Sequence, residues 1–191
     1  MVAYVLGQFP DLGDNGLSGY SYYFPAIPNP LDGGATTVGG MLASVVLQDS
    51  SPEDMVKLWK PVLEKINTTW PGKFMVSYQP KSFPSFLGWY SENYDTSQAG
   101  LNSYLGSRLL DRTALTANLT RSSLALEGFA NGSIATAYLV SGKGVRDAKP
   151  RGCGNAVLPA WRRAYVHASK FVCFEGVGVL RGLLTGGSFW D

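Results

Sequence analysis

The chain has one histidine, two cysteines and few charges, and each shortage closes a class of chemistry. His167 is the sole imidazole, and Cys153 and Cys173 give no metal-ligand spacing, so no metal-ligand cluster is expected, while a single bridge between the two cysteines stays open. Two cysteines make neither a disulfide framework nor a zinc spacing, and Cys153, in a glycine-rich stretch, reads as a small loop filler. Gly-x-Ser-x-Gly does not occur, which leaves a nucleophilic triad without its elbow. Gly142-Lys143-Gly144 lacks the frame of a phosphate loop. Only 16% of residues are charged and the net charge is +2, too little to argue for nucleic acid or an anionic membrane. No apolar run approaches the roughly 18 residues of a membrane span. Met1-Val2-Ala3-Tyr4-Val5-Leu6-Gly7-Gln8 lacks the basic start and long apolar stretch of a secretory leader, so a cytoplasmic location is expected.

What is present is a core-forming composition. The 191 residues are 45% hydrophobic and 13% aromatic, with ten tyrosines, which suits one domain with a buried interior. Leu17 to Phe24 reads as a strand between Gly16 and Pro25, and Thr36 to Gln48 as a second, with Gly39-Gly40 marking a bulge or close approach. Ser51-Pro52-Glu53-Asp54 opens a helix: a cap, a proline suited to the first position and two acids for the dipole. Met55, Leu58, Trp59, Val62, Leu63 and Ile66 make its apolar stripe, and Pro61 should bend it. Lys73 to Gln79 reads as a third strand stopped by Pro80. Phe83 to Tyr94 is an aromatic loop with a short helical turn. A second long helix is expected within Arg112 to Asn131, stopped by Asn131-Gly132. Ser133 to Ser141 and Arg162 to Ala168 read as the last strands. This order gives an α+β fold: an antiparallel or mixed sheet with helices packed on one face.

The run Lys149-Pro150-Arg151-Gly152-Cys153-Gly154-Asn155-Ala156-Val157-Leu158-Pro159-Ala160-Trp161-Arg162 resembles the Gly-Gly-Asn-Ala-Val-Asn-Pro-Ala-Trp-Arg segment of fungal FAD-linked oxidases, the berberine bridge enzyme-like group of the vanillyl-alcohol oxidase superfamily. Phe9-Pro10-Asp11-Leu12, Gly16-Leu17-Ser18-Gly19-Tyr20-Ser21-Tyr22, Gly106-Ser107-Arg108-Leu109-Leu110 and Ala137-Tyr138-Leu139-Val140-Ser141-Gly142 extend the likeness over roughly residues 1–168. Leu158 replaces the usual asparagine and Cys153 a glycine. Residues 169–191 are an apolar, glycine-rich tail outside the resemblance. Their Gly176-x-Gly178-x-x-x-Gly182 lacks the surrounding βαβ unit of a dinucleotide fingerprint.

The resemblance implies the substrate-binding domain of such an oxidase. The family's flavin-linking residues and its Tyr-x-Asn motif have no counterpart in these positions, so a stand-alone domain without bound FAD is expected. The sequons at Asn67, Asn118 and Asn131 fit descent from a secreted oxidase. In the family the sheet of this domain roofs the flavin and lines the substrate pocket. That implies pocket residues among Tyr20, Tyr22, Tyr78, Tyr138, Tyr165 and His167. No catalytic residue of the family carries over to these positions; by their own chemistry His167 and Tyr138 are the candidate proton-handling groups. Alternation along strands puts Tyr20 with Tyr22 and Tyr165 with His167. Each of these side chains has a plain core-packing alternative, and Arg108 reads as ordering a turn or pairing with an acid. The expected function is a flavin-free biosynthetic protein that binds a natural-product-like small molecule and promotes a non-redox isomerisation or cyclisation. A fragment or subunit of an FAD-dependent oxidoreductase and a non-catalytic binding protein are the alternatives. A homo-oligomer is expected, with no nucleic-acid or membrane partner.

Overall fold

The computed structural model describes residues 1–29, 31–94, 103–140, 142–148 and 157–173. Its elements in chain order are α1 (Val2–Asp14), β1 (Leu17–Pro28), β2 (Thr37–Leu47), α2 (Pro52–Thr69), α3 (Phe86–Asn93) and β3 (Ser103–Asp111), then α4 (Arg112–Thr116), α5 (Leu119–Ala130), β4 (Ala135–Leu139), α6 (Lys143–Asp147) and β5 (Ala164–Cys173). The strands form one sheet in the order β2-β1-β4-β5-β3, and every neighbouring pair is antiparallel. The α+β class holds, with α1, α2, α4 and α5 packed in the core on one face.

Helix α1 lies at the centre of the core. Leu6 and Phe9 are fully buried, with Val5 and Leu12 beside them, against Leu17, Tyr23, Leu139 and Val166 from the sheet. Ala135, Ala137 and Ala168 line the middle of the covered face and are buried, so the helix sits close to the strands. Sequence reading passes over α1 because Gly7, Pro10 and Gly13 lie within it. A proline inside a helix costs about 3 kcal/mol, which the buried face offsets. A side chain at Gly7 would meet the Leu115 carbonyl at 3.3 Å, so the glycine permits the approach of α4.

Gly19 serves the β1–β2 pair in the same way. Its φ is +144°, and a Cβ there would lie 2.4 Å from the Ser44 carbonyl oxygen. Helix α2 starts as expected, with Ser51 and Asp54 forming a reciprocal capping box. Val62 and Ile66 are its buried side chains.

Three expectations fail locally. Residues 73–79 form no strand: no ladder reaches them, Met75 is fully exposed, and only Phe74 turns in, edge-on to Trp70 at 5.8 Å. The third strand is instead Ser103–Asp111, so Arg108 sits within an edge strand and orders no turn, and among the described residues it joins no acid pair. The helix expected over Arg112–Asn131 is split. Asn118 accepts the Arg121 N–H at 2.9 Å and restarts the chain as α5. That helix does end at Asn131, in the left-handed conformation at φ 44°.

Candidate functional site

The sheet face opposite α1 and the core is the candidate site. Register sets its rows. Tyr22 pairs with Thr136 and Thr136 with Ser169, while Tyr138 pairs with His167 and His167 with Leu109. Opposed residues point to one side, so Tyr20, Tyr22, Tyr138 and His167 share the open face.

The Tyr138 ring stands edge-on to both neighbours, 5.1 Å from Tyr20 and 5.7 Å from Tyr22 between centroids. Its hydroxyl donates to the Tyr22 hydroxyl at 3.3 Å. His167 lies across the ladder from Tyr138, and the indole of Trp161 covers it at 5.1 Å. Partial burial holds the His167 imidazole below its ordinary pKa, so it stays neutral and can accept a proton. Beneath the tyrosines, Thr136 and Ser169 are buried and bond each other through their hydroxyls at 2.5 Å.

The strands bring no charge to this face. β1, β2 and β4 contain no Asp, Glu, Lys or Arg. Arg108 opposes Ala168 on the helical side. Lys170 also faces the helices, where its Nζ donates to the Ala130 carbonyl at 2.7 Å. Asp111, at the strand end, caps α4. Among the described strand residues the open face therefore offers aromatic rings, hydroxyls and one neutral imidazole.

Tyr165 is not on it. Leu110 pairs with Val166 and Asp111 with Ala164, which leaves Tyr165 unopposed as a β-bulge. The bulge turns its side chain to the helical side, where it is buried in the core. Its hydroxyl donates to Asp14 at 3.0 Å, and the Arg112 guanidinium lies over its ring while bridging Asp11 and Asp14 at 2.6 Å each. The alternation that would pair Tyr165 with His167 is broken by this extra residue. Tyr78 lies in the 73–79 coil and is exposed.

Two contributors escape a reading of the sequence. Trp161 stands in the Pro159–Arg162 turn just before β5, and a short turn of that kind announces no partner for its indole. Helix α3 reaches the same face through Asn93, which bonds Ser44, the residue opposite Tyr20, at 3.5 Å. Along α3, Phe86, Tyr90 and Tyr94 stack with centroids 5.4–6.0 Å apart.

No protein-family model matches the chain, and no curated protein matches it. One solved structure does: a VAO-type flavoprotein from Myceliophthora thermophila, with a TM-score of 0.74 at 23% identity. The match covers 88% of this chain, which spans 29% of the length of that flavoprotein. The likeness shows the fold, an α+β domain of a kind found within a VAO-type flavoprotein, in agreement with the resemblance carried by the sequence motifs.

The fold raises the question of FAD. The tyrosine face offers three aromatic side chains, Tyr20, Tyr22 and Tyr138, to a ring system. The pyrophosphate needs free N–H groups at a helix N-terminus. The N-termini of α2, α3, α4 and α5 are capped by Ser51, Ser85, Asp111 and Asn118, and α2 adds Glu53 and Asp54, while α1 and α6, starting at Met1 and Gly142, carry no side-chain cap. The described residues thus offer aromatic side chains to a ring, and helix N-termini without a side-chain cap at α1 and α6 alone. Among them no group of three metal-ligating side chains occurs, and no helix is long and apolar enough to cross a membrane.

Proposed function

We propose that the open sheet face binds a neutral, flat, hydroxylated small molecule of natural-product type and promotes its isomerisation or cyclisation without redox chemistry. The observation that carries this is the cluster of Tyr138, Tyr20, Tyr22 and His167 on a face to which the strands bring no charge. An apolar ring stacks on the tyrosines. A charged ligand meets no counter-ion from the strands and loses its hydration. His167, neutral, takes a proton from an acidic C–H or O–H of the ligand and returns it at another ligand atom, while the Tyr138 hydroxyl exchanges its Tyr22 partner for the carbonyl oxygen on which negative charge develops. Holding the reacting groups together supplies part of the barrier reduction.

Calorimetric titration with β-naphthol, a neutral flat phenol, tests the reading. Saturable binding is expected, weakened about two- to tenfold by Tyr138→Phe through loss of one hydrogen bond. Absence of binding, or equal binding by Tyr138→Phe and His167→Ala, refutes it.

A second reading is favoured by the fold likeness: the domain works as part of an FAD-dependent oxidoreductase. Flavin absorption bands in purified protein, with stoichiometric flavin released on denaturation, would select it.

A further inference from the structure

The two edges of the sheet are unlike. β3 forms one, and it carries Arg108 and ends at Asp111-Arg112, the charges that keep an edge strand from pairing with another chain. β2 forms the other. It runs for eleven residues, Thr37–Leu47, without a single charge or proline. Every second residue directs its N–H and C=O away from β1, and among the described residues none of these groups has a hydrogen-bond partner. Leu42, at the middle of the strand, is 65% exposed.

From this edge we infer that the protein forms a two-fold dimer in which β2 pairs antiparallel with β2 of a second copy. A two-fold pairing sets a strand against itself, so it tolerates only a self-complementary strand. β2 meets that condition. With the dyad at Leu42, Thr37 lies opposite Leu47, Gly40 opposite Ser44, and Met41 opposite Ala43. Leu42, Gly40 and Ser44 stay on the open face, while Met41 and Ala43 stay on the helical face, so both cores remain sealed. Beyond the ladder Asp49 falls opposite Ala35, and no charge meets a like charge. The two five-stranded sheets become one, Leu42 is covered by its own copy, and the two uncharged faces run on continuously. This inference does not rest on the ligand reading, and its test contains no ligand.

Light scattering on the purified chain at tens of micromolar should give twice the 20.6 kDa chain mass. Leu42→Lys sets two ammonium groups face to face at the dyad and should give a monomer with an unchanged circular dichroism spectrum. Leu42→Cys, in a chain also carrying Cys153→Ser and Cys173→Ser, should cross-link to a dimer under mild oxidation, because directly opposed Cβ atoms lie about 5 Å apart. A monomeric parent overturns the inference. So does a dimer that survives Leu42→Lys, which points to association through another surface, or a dimer in which Leu42→Cys fails to cross-link.

Discussion

Tyr165→Phe should cost stability and leave ligand binding intact. The substitution removes one oxygen and nothing else. That oxygen donates to the Asp14 carboxylate at 3.0 Å, at the point where α1 ends, α4 begins and β5 bulges. A hydrogen bond to a charged group contributes about 1.5–3 kcal/mol when enclosed. Asp14 is partly exposed, with 45% of its side-chain surface open, and it keeps the Arg112 contact, so the loss should fall near or below the bottom of that range, at about 1–1.5 kcal/mol. For a chain of this size that corresponds to a fall in Tm of roughly 2–6 °C. Urea unfolding followed by circular dichroism measures the first quantity and a thermal scan the second. Binding of β-naphthol to the folded variant should match the parent, because the bulge places this ring on the far side of the sheet. The reasoning fails if Tyr165→Phe is as stable as the parent, or if it weakens binding without loss of stability.

Gly19→Ala should destabilise by about 2 kcal/mol or more, since φ is +144° and the new Cβ collides with the Ser44 carbonyl; chemical denaturation reads this directly. Ser51→Ala, which breaks the capping box of α2, should cost about 1 kcal/mol by the same assay. His167 has a folded pKa below its ordinary 6.5. Its neutral form is therefore favoured by folding, and the stability it contributes is present above 6.5 and lost as pH falls through the lower folded value. Unfolding free energies measured across this range should show that acid loss in the parent and a reduced loss in His167→Gln.

The strands that carry the tyrosines could be read from sequence because each is apolar and flanked by glycine, although β1 runs on through Pro25 to Pro28, past the end read from the sequence. Tyr20, Tyr22 and Tyr138 follow simple alternation, which places them on one face. Tyr165 does not, because alternation counts residues and a bulge adds one. Helix α1 was hidden by Pro10, a local signal overruled by burial of Leu6 and Phe9. Residues 73–79 have a strand-like pattern but no neighbour to pair with, whereas Ser103–Asp111 has one in β5. Pairing is a property of the assembled sheet, and no local pattern announces it. The lack of charge on the open face emerges from the sheet: three of its five strands contain no charged residue.

The central claim is that the open sheet face binds a neutral flat ligand, and amide chemical-shift mapping tests it most directly. On addition of β-naphthol, the backbone amides of Tyr20, Tyr22, Tyr138 and His167 should shift together and saturate, and equal concentrations of β-naphthoate should leave them in place. Shifts gathered instead around the cleft between α1 and α5, at Ala3, Phe74 and Glu127, or shifts of the tyrosine face produced equally by the charged naphthoate, would contradict the account.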